Sequence, residues 1–516
     1  MSIPAAVRGL ARAPLHPLLL AVHPILFLYS ANLDEVLPVD LVQPLIWAVA
    51  VTAALLGILA LLLRSWTRAG LVTSAVVLAW FFFGHVAPAF ESAGLGEEFQ
   101  VTAWVLLVAL ALLLAFKAGP ALTRMTESAN VVALVLVILT LTSIVPYEIG
   151  RATQPARAAA PADSSLPPAT RNPGRDIFYL VFDRYGSDWS IEQRFGIKND
   201  LSEWLEGQGF QVVPGARANY RATDFSLAST LQMDYLDDLT ARYGRNTGDR
   251  TPARELLQQH PVGRFVQANG YRYVHVSAWY SATLNNAIAD EVLRYDQTSE
   301  FAQVLHDTSM APVVDQLWSE ESAEPPERQR HRAFPGYQFR QVARAAASPD
   351  PVFVFAHILL PHPPYVFRAD GSEMTEAEAR SLPEEVLYQE QLTYTNSRIR
   401  ETVSALLNRP PAQQPIIVIQ ADEGPFVCRN VDCIDGSAEA YGIRFGVLGA
   451  YYLPGLDGDV LPPDHSSVNT FRTIFREYFG ADFPPLPNRS FSWPDNDHIY
   501  DFRDVTDQLP LPTTDP

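Results

Sequence analysis

Two stretches decide how this chain reads: Ile177-Phe178-Tyr179-Leu180-Val181-Phe182-Asp183 and Ile416-Ile417-Val418-Ile419-Gln420-Ala421-Asp422. Each is a short run of β-branched and aromatic residues closed by an aspartate, and the second continues into Glu423-Gly424-Pro425. Runs of this length and composition predict strands buried on both faces, hence a parallel sheet. The carboxyl end of such a strand is the edge at which open α/β sheets bind ligands. One aspartate there serves equally well as the cap of a following helix. Two of them with an adjacent glutamate make an oxygen-rich cluster suited to a hard divalent cation.

Outward from these runs, strands and helical stretches alternate from Asp176 onward. Candidate strands cover 177–183, 210–213, 271–277, 352–359, 416–421 and 443–453. The alternation predicts an α/β domain over 174–516 with a largely parallel central sheet flanked by helices. Residues 150–173, rich in Ala, Pro, Arg and Ser, read as a linker.

The first 149 residues are different. Five apolar segments, at about 14–32, 42–64, 69–88, 101–117 and 129–147, each approach the ~20 residues that cross a bilayer. They predict an α-helical transmembrane bundle with five spans. Arg8, Arg12, Arg64, Arg68, Lys117 and Arg124 fall on one side of it. Asp34, Glu35, Asp40, Glu91, Glu97 and Glu98 fall on the other. Positive charge stays inside, so the N-terminus is expected in the cytoplasm and the α/β domain outside a cytoplasmic (inner) membrane.

A net charge of −19 argues against a nucleic-acid partner, because phosphate backbones need a basic face. The two cysteines, Cys428 and Cys433, exclude a zinc finger or a disulfide-rich scaffold. In an extracytoplasmic loop they predict a small-loop disulfide, against the alternative of two free thiols.

Two further groups bear on chemistry. In Asn219-Tyr-Arg221-Ala-Thr223-Asp-Phe-Ser226, Thr223 opens a helix. It reads as an ordinary cap or as a nucleophile at a helix N-terminus, where exposed N–H groups favour a phosphate. Arg221 and Ser226 are candidate substrate contacts. In His357-Ile-Leu-Leu-Pro-His362-Pro-Pro-Tyr365, the prolines turn the chain just beyond a buried strand and place His362 at the same sheet edge. His362 is a candidate acid or oxyanion partner, and His357 a further candidate substrate contact.

These segments, in this order, resemble the alkaline phosphatase/sulfatase superfamily. The resemblance is strongest to its membrane-anchored members, the lipoteichoic acid synthases and phosphoethanolamine transferases. The stretches Phe445-Gly-Val-Leu-Gly-Ala-Tyr-Tyr-Leu-Pro-Gly455 and 466–480 add to it. It implies Asp183, Thr223, Asp422 and Glu423 as ligands of one divalent metal, with Mn²⁺ or Mg²⁺ favoured and Ca²⁺ or Zn²⁺ open. Thr223 would be the nucleophile and His362 its catalytic partner. The implied activity is transfer of a phospho-headgroup from a membrane lipid donor to an envelope glycan or glycolipid through a phospho-threonine. A tethered phosphodiesterase or sulfatase-like hydrolase is the alternative, and a catalytically silent envelope binding protein the third. Glu423 stands where the family pattern has histidine. The Thr223 segment lacks the Cys/Ser-x-Pro-x-Arg motif of a true sulfatase.

Overall fold

The computed structural model describes residues 13–153, 166–295, 298–318, 326–429, 433–456 and 458–510. The expected linker falls partly, and the last residues of the α/β domain wholly, outside them. By its contacts the chain forms two units, Met1–Ala156 with Thr298–Ala323, and Arg157–Gln297 with Glu324–Pro516.

In the first unit, four helices are long and apolar enough to cross a membrane: Pro38–Leu63, Trp66–Phe90, Glu97–Lys117 and Ala121–Arg151. The fifth apolar element, His16–Ser30, has only 15 residues. At 1.5 Å per residue it reaches about 22 Å, short of a ~30 Å hydrocarbon core. Five spans are expected from the sequence, and among the described residues four helices of spanning length are found. The outward faces of these helices are apolar, with Leu61, Leu62, Trp47 and Leu106 all exposed. Such faces suit a membrane anchor.

A helical hairpin from much later in the chain belongs to this unit. Its arms are Glu300–Asp307 and Ala311–Trp318. Phe301 is buried in a cluster with Ile25, Tyr29, Leu41 and Ile144. The hairpin turn meets the helix Trp66–Ser92 backbone to backbone. Gly84 N–H donates to Thr308 O at 3.2 Å, and Met310 N–H donates to Trp80 O at 2.8 Å. The approach needs glycine, since a Cβ at position 84 would lie 2.7 Å from Thr308 O.

The second unit is built on a seven-stranded sheet. Its strands are β1 (Ile177–Phe182), β2 (Gln211–Val212), β3 (Arg272–Val276), β4 (Glu291–Leu293), β5 (Val352–Ile358), β6 (Ile416–Gln420) and β7 (Gly449–Tyr452). The spatial order is β2-β7-β6-β1-β5-β3-β4. All pairings among β6, β1, β5, β3 and β4 are parallel, and β7 alone runs antiparallel to its neighbours. Every residue of β1, β5 and β6 is buried, which is why these strands read as unbroken apolar runs. Helices cover both faces, and one core cluster runs through the whole unit.

The strand expected over 443–453 is shorter than its composition suggests. Ala438–Phe445 is helical, started by the Ser437 side chain accepting from Ala440 N–H, and β7 begins only at Gly449. Strand β4 has no counterpart among the expected strands. It has three half-buried residues and no periodicity to announce it.

Candidate metal centre

Strand β1 lies between β6 and β5, so the carboxyl ends of three adjacent strands present their residues side by side. Asp183 follows β1, Asp422 follows β6, and His357 is the penultimate residue of β5, opposite Val181 in register. One ligand atom from each of the three lies within 4.8 Å of the others. His357 Nε2 is 3.6 Å from Asp183 Oδ2 and 3.8 Å from Asp422 Oδ2. All three residues are buried.

Burial governs the protonation of this group. Removal from water pushes the Asp422 carboxyl up to about 8, with the Asp183 charge adding to the rise. Burial and then the Glu423 charge push Asp183 up to about 7, against the pull of Arg184 and Arg444. Burial lowers His357 to about 3, so its imidazole is neutral at physiological pH. Its Nδ1 shares a hydrogen bond with Thr283 Oγ1 at 2.9 Å, and Gln338 Nε2 donates to its carbonyl at 2.6 Å. A neutral imidazole oriented through its other nitrogen is the form in which histidine binds metals.

The residues fit a cation. Asp183 Oδ1 and His357 Nε2 have no hydrogen-bond partner among the described residues. Among the described residues neither oxygen of Asp422 meets a partner at ordinary hydrogen-bond geometry, although the Thr223 side chain is near enough to favour its ionised form. Buried polar atoms left in this way are costly unless something else satisfies them. Two carboxylates and an imidazole are a donor set for Mn²⁺ or Zn²⁺ more than for Ca²⁺ or Mg²⁺, which take oxygen ligands.

Thr223 is the first residue of the helix Thr223–Gln232 and is half-buried. The next residue, Asp224, is fully buried and ties this helix start to Arg250 at 3.0 Å and Arg254 at 3.5 Å. Ser226, one turn on, is fully buried, and its hydroxyl has no partner among the described residues. Arg221 lies with its guanidinium 4.6 Å from the centre of the Trp493 ring.

Glu423 stands outside the Asp183–His357–Asp422 group. Its Oε1 pairs with Arg184 at 2.8 Å and its Oε2 with Arg444 at 2.6 Å. Arg184 is 8% exposed, Glu423 1% and Arg444 1%. Arg184 adopts a left-handed backbone conformation (φ 60°), uncommon outside glycine, immediately after Asp183. Its guanidinium lies 3.3 Å from the centre of the Phe426 ring. Arg444 also donates to Gly424 O at 2.9 Å and to Arg221 O at 2.6 Å. Gly424 permits this packing, because a Cβ there would fall 2.1 Å from Ile443 O. The oxygen expected to ligate a metal is thus neutralised by two guanidinium groups. Neither arginine stands out in the sequence, although Arg184 directly follows a strand-end aspartate.

His362 is half-buried between Trp279 and Phe426, with ring centres 6.1 and 6.0 Å away. Loss of hydration and the Arg184 charge hold its pKa well below the ordinary value. Its Nδ1 is hydrogen-bonded to Pro363 O. A carbonyl only accepts, so Nδ1 carries the proton and Nε2 holds a lone pair. Cys428 and Cys433 are joined as a disulfide, with Cα atoms 5.7 Å apart.

The fold and site together define a chain with apolar helices suited to a membrane anchor and an α/β unit holding a buried Asp–His–Asp group that could bind a metal. No protein-family model matches the chain, and no curated protein does. Similar solved structures include the C-terminal periplasmic domain of EcEptC from Escherichia coli, at TM-score 0.41 and 12% identity over 67% of this chain and 98% of that one. They include the soluble domain of lipooligosaccharide phosphoethanolamine transferase A from Neisseria meningitidis, at TM-score 0.37 and 12% identity over 61% and 90%. The phosphonate monoester hydrolase of Agrobacterium radiobacter aligns at TM-score 0.38 and 12% identity over 61% and 79%. Other neighbours include the C-terminal periplasmic domain of a phosphoethanolamine transferase from Campylobacter jejuni, a 2-O GAG sulfatase and an alkaline phosphatase superfamily protein from Vibrio parahaemolyticus. At these scores and identities they fix neither activity nor substrate, and a functional reading rests on the chain's own residues.

Proposed function

We propose that the α/β unit is the catalytic part of a membrane-anchored, metal-dependent phosphotransferase. It moves a phospho-headgroup from a lipid donor to an envelope glycan or glycolipid outside the cytoplasmic membrane. The observation that carries this reading is the buried Asp183–His357–Asp422 group with the Thr223 side chain beside Asp422 at a helix N-terminus. The orientation rests on the positively charged loops of the apolar half.

A divalent ion held by Asp183, His357 and Asp422 would neutralise charge on the phosphoryl oxygens and favour the ionised Thr223 hydroxyl. In the first half-reaction Thr223 Oγ bonds to phosphorus as the bond from phosphorus to the lipid alcohol breaks. The Thr223 proton ends on that alcohol. In the second, an acceptor hydroxyl attacks the phospho-threonine and its proton returns to Thr223. His362 Nε2, with its lone pair, suits the relay of that proton. N–H groups at the start of the Thr223 helix favour the phosphate.

The engagement of Glu423 by Arg184 and Arg444 favours a second reading, a catalytically silent envelope binding protein. Calorimetric titration of Mn²⁺ into the detergent-solubilised full chain separates the two, with an Asp183→Ala/Asp422→Ala variant as control. Stoichiometric binding lost in the variant supports the transferase. If the folded wild type binds none of Mn²⁺, Zn²⁺, Mg²⁺ and Ca²⁺, the silent reading stands instead. Incubation with phospholipid vesicles should then add the mass of a phospho-headgroup to the Thr223 peptide, which a silent protein would not show, and a headgroup appearing on an added glycan acceptor separates transfer from hydrolysis.

A further inference from the structure

The first unit contains a cleft of about 490 Å³ with an overwhelmingly apolar lining. Trp47, Val51 and Leu55 line it from one apolar helix, Val77 and Trp80 from the next, and Ala302 and Leu305 from the hairpin. The volume is within the range of small-molecule sites, roughly 300–1,000 Å³. Polar groups are few and include His306 and Ser309, both on the hairpin. His306 is held by Asp307 at 2.9 Å and Asp315 at 3.0 Å.

The sequence does not call for such a cleft. Glu300–Asp307 lies in the acidic, water-soluble part of the chain, yet it is amphipathic and turns Phe301, Ala302 and Leu305 inward. The hairpin is held at Gly84 and Trp80 by main-chain hydrogen bonds, so its apolar face is fixed over the cleft. A cavity of this size lined by aliphatic and indole groups gains nothing from water. Two of its walls are helices suited to a bilayer, where the abundant apolar ligand is an acyl chain.

We infer that this cleft binds one acyl chain of a membrane phospholipid, with the hairpin as its closing wall. The inference stands apart from the proposed chemistry, because it uses no residue of the Asp183–His357–Asp422 group.

The test uses the full chain in phosphatidylethanolamine/phosphatidylglycerol vesicles containing a trace of a phospholipid with a photoreactive diazirine in its acyl chain. After irradiation, labelled peptides are mapped by mass spectrometry. Label should concentrate on the helix Glu300–Asp307 and on the cleft-facing positions of the two apolar helices. Ala302→Trp should fill the cleft and reduce the hairpin label to the level of the outward helix faces, whereas Leu61→Trp, on an exposed face, should leave it unchanged. Ala48→Phe serves if Ala302→Trp does not fold, and the wild-type distribution decides alone if neither does. Uniform labelling in proportion to exposure would overturn the inference, as would a folded Ala302→Trp variant with undiminished hairpin label. Loss of the hairpin label to added oleate, at concentrations that leave label on the outward helix faces unchanged, would also overturn it, by making the occupant a free fatty acid.

Discussion

Replacing Glu423 with histidine should damage this protein rather than improve it, although histidine stands at this position in the pattern that the sequence resembles. In the structure the Glu423 carboxylate neutralises Arg184 at 2.8 Å and Arg444 at 2.6 Å. None of the three side chains is more than 9% exposed. Removing one member of a buried ionic group costs about 3–5 kcal/mol, because the remaining charges lose their counter-charge away from water. A neutral imidazole supplies no such charge, so Glu423→His should cost about that much. For a large unit each kcal/mol lowers Tm by about 2–4 °C, so the melting temperature should fall by roughly 6–20 °C. Differential scanning fluorimetry of the full chain in detergent reads this directly. Glu423→Gln, which keeps an acceptor for one guanidinium, should lose less, about 1–3 kcal/mol. Adding Arg444→Met to Glu423→His removes one of the two stranded charges and should recover part of the loss, a coupling that a double-mutant cycle measures. A Glu423→His variant that melts like the wild type and binds Mn²⁺ more tightly would refute the reasoning, since Glu423 would then occupy a ligand position and not a counter-ion position.

Thr223→Ala should abolish headgroup transfer while leaving Mn²⁺ binding and Tm near the wild-type values, and Thr223→Ser should retain activity; transfer assays with the three proteins check this. The metal effect should depend on pH. Asp183 and Asp422 have carboxyl groups raised to about 7 and about 8, so their contribution to apo stability is full at low pH and is lost as pH rises through those values. Metal binding displaces the same protons, and His357, already neutral, displaces none. Apparent Mn²⁺ affinity should therefore rise by about tenfold or more from pH 6 to pH 8, as the two carboxyls lose their protons; equal calorimetric constants at both pH values would contradict it. Gly84→Leu should push the hairpin off the helix Trp66–Ser92, because its Cβ would meet Thr308 O at 2.7 Å. The cost is about 1–3 kcal/mol of overpacking, read as faster amide exchange across 299–318.

The parts of this protein legible in its sequence are those set by neighbouring residues. Ile177–Phe182 and Ile416–Gln420 read as buried strands because a strand covered on both faces needs apolar side chains at every position. The aspartates after them announce the binding edge, because parallel strands end together there. The long apolar helices are equally local, since about 20 apolar residues have few places to go except a membrane or a core. His16–Ser30 is apolar in the same way and is shorter, at 15 residues, than the other four helices.

What the tertiary structure alone decided involves partners distant in sequence. Both His357 and His362 read as candidates, and only the β1–β5 register brings His357 Nε2 to the two aspartates. The Pro363 carbonyl leaves His362 Nε2 as an acceptor instead. Glu423 reads as a candidate ligand beside Asp422, and only the fold brings Arg444, 21 residues on, back to pair with it. The hairpin Glu300–Asp307/Ala311–Trp318 lies amid the sequence of the α/β unit, and its place among the apolar helices rests on Gly84 and Trp80, more than 200 residues earlier. Periodicity and run length record which way a side chain faces. Electrostatic pairing and backbone-to-backbone contact depend on which segments the finished fold brings together, and no local pattern encodes that.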